Sequence, residues 1–189
     1  MKKGIALAQI AGWCGIASPV LSLSLIFQAV AVSPWFDWHR NALSDLGVGA
    51  SGALFNSATS LGGALTVVLI LGLVRTLKLG RLGELGAVFA LLGAVGLSLV
   101  GVFPEDRGAI HFAVALTYFF ATPLGCLLIG LGLLETRRPF GGVLTVSAGL
   151  AALLLITRTP HAGNAVPEIL AALVMGGWVF AAGMALLTE

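Results

Sequence analysis

Six uninterrupted stretches without a charged residue decide what this chain is able to fold into. They are Gly4–Pro34, Leu46–Val74, Leu85–Pro104, Ile110–Leu134, Pro139–Thr157 and Ile169–Thr188, each 19 residues or longer. A helix of about 20 apolar residues crosses the hydrocarbon core of a bilayer. In lipid no water satisfies a bare amide, so each run must close its backbone hydrogen bonds within itself, which helix does. A transmembrane β-barrel would need apolar and polar residues to alternate, and nothing here alternates with period two. The sequence therefore predicts an all-α, polytopic transmembrane bundle of six helices forming one domain over residues 1–189. The spans fall at roughly 6–31, 52–76, 83–103, 109–134, 140–157 and 167–187, the fifth being the shortest. A mean hydropathy of +1.05 with only 10% charged residues places the chain outside the soluble class.

Lys2 and Lys3 precede the first run as in a signal peptide. The run is more than twice as long as a signal's apolar region, so an uncleaved first helix is expected. The basic residues divide unevenly between the two sides of the predicted bundle. Lys2, Lys3, Arg75, Lys78, Arg81, Arg137 and Arg138 fall on one side, and Arg40, Arg107 and Arg158 on the other. The positive-inside rule puts the first set, and with it both termini, in the cytoplasm. Trp35, Phe36 and Trp38 suit an interfacial belt on the outer side.

The outer side also collects the chemistry. His39, His111 and His161 all fall there, each with a carboxylate five to seven residues away: Asp45, Asp106 and Glu168. The densest packet is FDWHRNALSDLG, residues 36–47. With Ser33 as N-cap, Pro34 in the first turn and Gly47 at the end, it reads as a short amphipathic helix in the first outer loop. Trp35, Trp38, Ala42, Leu43 and Leu46 would form its apolar face, with His39 as a misfit in the middle. Such a helix either lies on lipid or lids the bundle, and we expect the lid. As a lid it would bring Asp45 or His39 to Asp106, His111 and Glu168.

Asp45, Asp106, His111 and Glu168 are thus the candidate catalytic residues, as general acids and bases or as metal ligands. A divalent metal such as zinc would draw on His39, His111 and Asp106. Arg40, Arg107 or Arg158 would hold a lipid phosphate. Asn41, Ser44 and Asn56 join Arg40 and Arg107 as candidate binding residues. Structural roles compete for the same side chains. Glu105 or Asp106 would cap the fourth helix, and Glu168 would sit on the favourable end of the sixth helix dipole. Asn56, Ser57 and Ser60 would join helices by hydrogen bonds, and Gly86, Gly93, Gly96, Gly101, Gly125, Gly130 and Gly132 would let helices approach closely. Cys14 and Cys126 lack CxxC spacing and read as inert thiols. No GxGxxG follows a strand, and no Walker, HExxH or HxxxH pattern occurs. Three outer basic residues are too few for a nucleic-acid surface.

The run Asn41-Ala-Leu-Ser44-Asp45-Leu-Gly47, then Leu54-Phe55-Asn56, then Phe103-Pro104-Glu105-Asp106 with His111, resembles an uncharacterised prokaryotic membrane family, domain of unknown function 998. Gly163…Glu168 looks like that family's last motif. The resemblance spans about residues 10–188 and implies a six-helix bundle in a prokaryotic plasma membrane; it implies no activity. More distantly, three histidines with a Ser-Asp pair are similar to the alkaline ceramidase and progestin-receptor-like membrane hydrolases, which hold zinc within seven helices. This chain lacks their HxxxH pair and one helix. Three functions follow from the sequence: a lipid- or metal-binding hydrolase-like site open to membrane lipids or a small molecule, a small transporter or sensor, and a purely structural network of caps and salt bridges. Transport is disfavoured because the inner halves of the helices offer scattered Thr, Ser and Gly and no buried charge.

Overall fold

A computed structural model describes residues 2–157 and 164–188. Its elements are six α-helices: α1 (Lys2–Ala31), α2 (Gly52–Thr76), α3 (Gly80–Val102), α4 (Ala109–Glu135), α5 (Pro139–Thr157) and α6 (Ala165–Leu187). All six are long and apolar enough to cross a membrane. Each packs on its sequence neighbours, and α1 packs on α6, so the helices form a closed ring. The connections at 77–79 and 136–138 are three residues long and define a short-loop end. The longer connections, at 32–51 and 103–108, meet the start of α6 at the opposite, long-loop end.

Small residues set the spacing. A Cβ at Gly86 of α3 would lie 2.6 Å from the Ile129 nitrogen and 2.7 Å from the Gly125 oxygen of α4, so only glycine lets these backbones touch. Gly93 and Gly96 face α4 likewise, Gly101 faces α2, and Gly130 faces α5, as their sequence positions predict. Hydroxyls complete the joints. Ser60 donates to the Ser98 carbonyl at 3.2 Å and Ser98 to that of Ser60 at 3.1 Å, tying α2 to α3. Ser18 donates to Gly62 and Ser22 to Ala58, both at 2.9 Å, tying α1 to α2. Ser57 is exposed and joins nothing across helices. Cys14 and Cys126 are unbridged, and Cys126 lies buried against Met175.

The amphipathic helix expected in the first outer loop is not formed. Residues 34–40 make turns, followed by a short 3₁₀ helix at Leu43–Gly47 and another at Gly49–Ser51. The cause is local. Asp37 Oδ1 accepts the His39 N–H and Asn41 Oδ1 accepts the Asp37 N–H, both at 2.9 Å. Short polar side chains thereby take the amides that a helix would use. The segment is nonetheless a lid. Leu46 is fully buried and Leu43 nearly so, packed with Ile26, Phe55, Val100 and Ile169 of the bundle.

Candidate functional site

Three segments that are distant in sequence meet beneath this lid. The Leu43 N–H donates to Glu168 Oε2 at 2.7 Å, and the Ala165 N–H donates to the Trp38 carbonyl at 3.0 Å, fastening the lid to α6. Asn56 Nδ2 donates to the Gly47 carbonyl at 2.9 Å, fastening it to α2. Within the lid, Asp45 Oδ2 accepts from Asn41 Nδ2 at 2.9 Å and from the Ala42 N–H at 3.1 Å. Asn41 and Asp45 therefore shape the turn that carries Ser44 into the bundle.

From the 103–108 connection comes Glu105. It belongs to a single 3₁₀ turn, Glu105–Arg107, in which successive residues point about 120° apart. Glu105 turns inward toward Asp45 and Ser44, while Asp106 and Arg107 are exposed. Its Oε2 is buried with no hydrogen-bond partner. Burial, reinforced by the Asp45 carboxyl beside it, pushes the Glu105 carboxyl up to about 7. A proton on Glu105 lets it hydrogen-bond to the Asp45 carboxyl beside it.

Below these groups lies a cavity of about 300 Å³, to which all six helices contribute. Ser44, Glu105, His111 and Glu168 line its polar end. The rest is apolar apart from Thr59 and Tyr118, with Phe55, Leu97, Phe119 and Ile156 among its walls. His111 is buried, and its Nδ1 lies 2.8 Å from the Phe103 carbonyl. A carbonyl only accepts, so Nδ1 is the donor in this bond. A smaller chamber of about 70 Å³ continues past Thr59, Tyr118 and Ala172 toward the hydroxyls of Ser18, Ser22 and Thr66.

Several sequence expectations are corrected by this geometry. Asp106 does not pair with His111, because it is exposed while His111 is held by Phe103. His39 is exposed and does not point into the bundle. The proposed metal set of His39, His111 and Asp106 is thus not brought together, and among the described residues no three His, Cys, Asp or Glu side chains are grouped to hold a metal. Arg40 and Arg107 are exposed, and Arg40 pairs with Asp37 at 3.9 Å, so neither offers a phosphate clamp inside the cavity. Neither Glu105 nor Asp106 caps α4. Its N-cap is Gly108, at φ +59°, a left-handed conformation that suits glycine. Asn164 caps α6 by accepting the Val166 N–H at 3.1 Å, and Glu168 stands in the first turn of that helix, as expected. His161 and Arg158 lie outside the described residues. Glu105 is the residue that sequence reasoning left out of the site; its signal was the neighbouring Pro104, which starts a tight turn.

Fold and site together define a helical, multi-pass membrane protein with a lidded cavity, acidic at one end and apolar along its length. The chain belongs to the family described as protein of unknown function (DUF998), whose model matches residues 16–185. No curated protein and no solved structure matches it.

Proposed function

We propose that this is a prokaryotic plasma-membrane protein that binds an amphipathic, lipid-like molecule, head at Ser44, Glu105, His111 and Glu168 and chain along the cavity. The observation that carries this reading is the cavity's division into one polar end and a long apolar body. Its volume of about 300 Å³ is at the lower limit of small-molecule sites. Access from the bilayer is short. Phe112, Leu116 and Phe120 recur every four residues on α4, border the cavity and are themselves 67%, 45% and 43% exposed. One layer of side chains therefore separates the cavity from lipid. Ser44 beside a carboxyl that titrates near neutrality supplies acid–base capacity for a bond-breaking step on the bound head. Seven basic residues at the short-loop end support its assignment to the cytoplasm, with the lid facing outward.

A structural role is favoured for part of the cluster by specific contacts. Asn41 and Asp45 are consumed in shaping the lid, and one oxygen of Glu168 fastens it. Transport has less support. In the chamber leading inward the hydroxyls of Ser18, Ser22 and Thr66 already donate to helix carbonyls, and no charged side chain lines it among the described residues.

The test is saturable binding of a neutral long-chain alcohol with a fluorescent tail to the protein in nanodiscs. Binding that saturates near one probe per chain supports the reading. Uptake indistinguishable from empty nanodiscs overturns it.

A further inference from the structure

We infer that the head of the bound amphiphile is a protonated amine, seated between Glu105 and Glu168 with its hydrocarbon chain in the cavity; this rests on the reading of the cavity as an amphiphile site. Two carboxyl groups from separate segments line the polar end, and Asp45 stands behind them, acting electrostatically on both. Carboxylates gathered in a partly desolvated site repel one another and call for a counter-charge. Among the described residues no Lys or Arg lines the cavity, and the cations on the same connections, Arg40 and Arg107, are exposed.

The acceptors are also in surplus. Glu105 Oε2 is buried without a hydrogen-bond partner, and the neutral form of His111, with Nδ1 committed to Phe103, presents Nε2 as an acceptor. An ammonium carries three donors and no acceptor, so it complements this end of the cavity in both charge and hydrogen bonding. A carboxylate or phosphate head would meet like charge. An alcohol would bring one donor and leave the carboxylates uncompensated.

The proton behaviour of the site fits. In the unliganded protein the elevated Glu105 carboxyl keeps a proton up to about pH 7, with Asp45, Ser44, Glu168 and His111 around it. A bound ammonium takes the place of that proton. Amine binding therefore releases a proton at neutral pH and strengthens as pH rises through about 7.

The experiment is displacement of the fluorescent-tailed alcohol, in nanodiscs of zwitterionic phosphatidylcholine, by three competitors of equal chain length: a primary alkylamine, the alcohol and the fatty acid. Concentrations are taken per bilayer lipid, so that membrane partitioning cancels. The amine should displace the probe at a level about tenfold lower than the alcohol, equivalent to about 1.4 kcal/mol. Glu105→Gln should remove most of that preference, while Arg107→Ala, outside the cavity, keeps it. An alcohol equal to the amine, or a fatty acid stronger than it, overturns the amine head and leaves the cavity reading standing. If the probe itself shows no saturable binding, the cavity reading falls and the amine with it.

Discussion

At the short-loop half of the bundle α3 and α4 meet backbone to backbone through Gly86, Gly125 and Gly132, and Leu69, Ile70 and Ile129 fill the interior. At the long-loop half α3 still meets α4 at Gly96, but a cavity of about 300 Å³ opens among the six helices, closed by a segment with almost no regular helix. Both halves come from equally apolar runs. The difference lies in which residues face inward: glycine, alanine and aliphatic side chains in the short-loop half, and Phe119, Tyr118, Glu105 and Glu168 around the cavity of the other. Small residues remove space, whereas large aromatics and charged groups hold it open. Both halves carry a packed core, whereas the chemistry is confined to one, a division that substitutions can expose.

The largest effect belongs to the zipped half. Gly86→Leu places a side chain against the Ile129 nitrogen and Gly125 oxygen, neither of which can yield. The variant should fail to accumulate as folded protein, seen as loss of a monodisperse peak after detergent extraction. Gly177, with open space around it, should accept alanine without loss. Next comes the lid. Leu46→Ala removes a fully buried side chain and should cost about 2–5 kcal/mol in chemical denaturation, the range for such truncations.

A smaller effect is expected from Glu168→Gln, which weakens the 2.7 Å bond from the Leu43 N–H. A hydrogen bond of this kind contributes about 0.5–1.5 kcal/mol, so amide exchange at Leu43 should speed up several-fold while exchange in α3 and α4 stays unchanged. The smallest is a pH effect. Glu105 titrates at about 7 in the folded protein against an ordinary value of 4.5, so the folded state holds a proton that the unfolded chain has lost between those values. Stability then falls as pH rises from about 4.5 to about 7 and is level above that. Glu105→Gln should reduce the slope of this segment of a Tm-against-pH curve.

The six spans were legible because a lipid solvent leaves an uncharged run no other structure, and the observed helices extend the expected ones by a few residues at their polar ends. The lid was legible only in its burial. Leu43 and Leu46 carry an apolar signal, but Asp37 and Asn41 decide the backbone by bonding to nearby amides, and a helical wheel does not register such bonds. Glu168 and Ser44 were identified as candidates from the right end of the molecule. Asp106 was favoured over Glu105 because adjacent carboxylates are equivalent in sequence, and only the pitch of a single 3₁₀ turn separates them. The histidines were misleading as a set: His111 is a buried donor to Phe103, and His39 is exposed.

The central claim is that the long-loop cavity holds an amphiphile's chain, and steric filling tests it most directly. Ala172 lies where the cavity joins the inner chamber, so Ala172→Phe puts a ring into the space assigned to the chain. Binding of the fluorescent-tailed alcohol to this variant in nanodiscs is the measurement. The account predicts at least a tenfold loss of affinity, about 1.4 kcal/mol, with the folded protein otherwise intact. Unchanged affinity would contradict it.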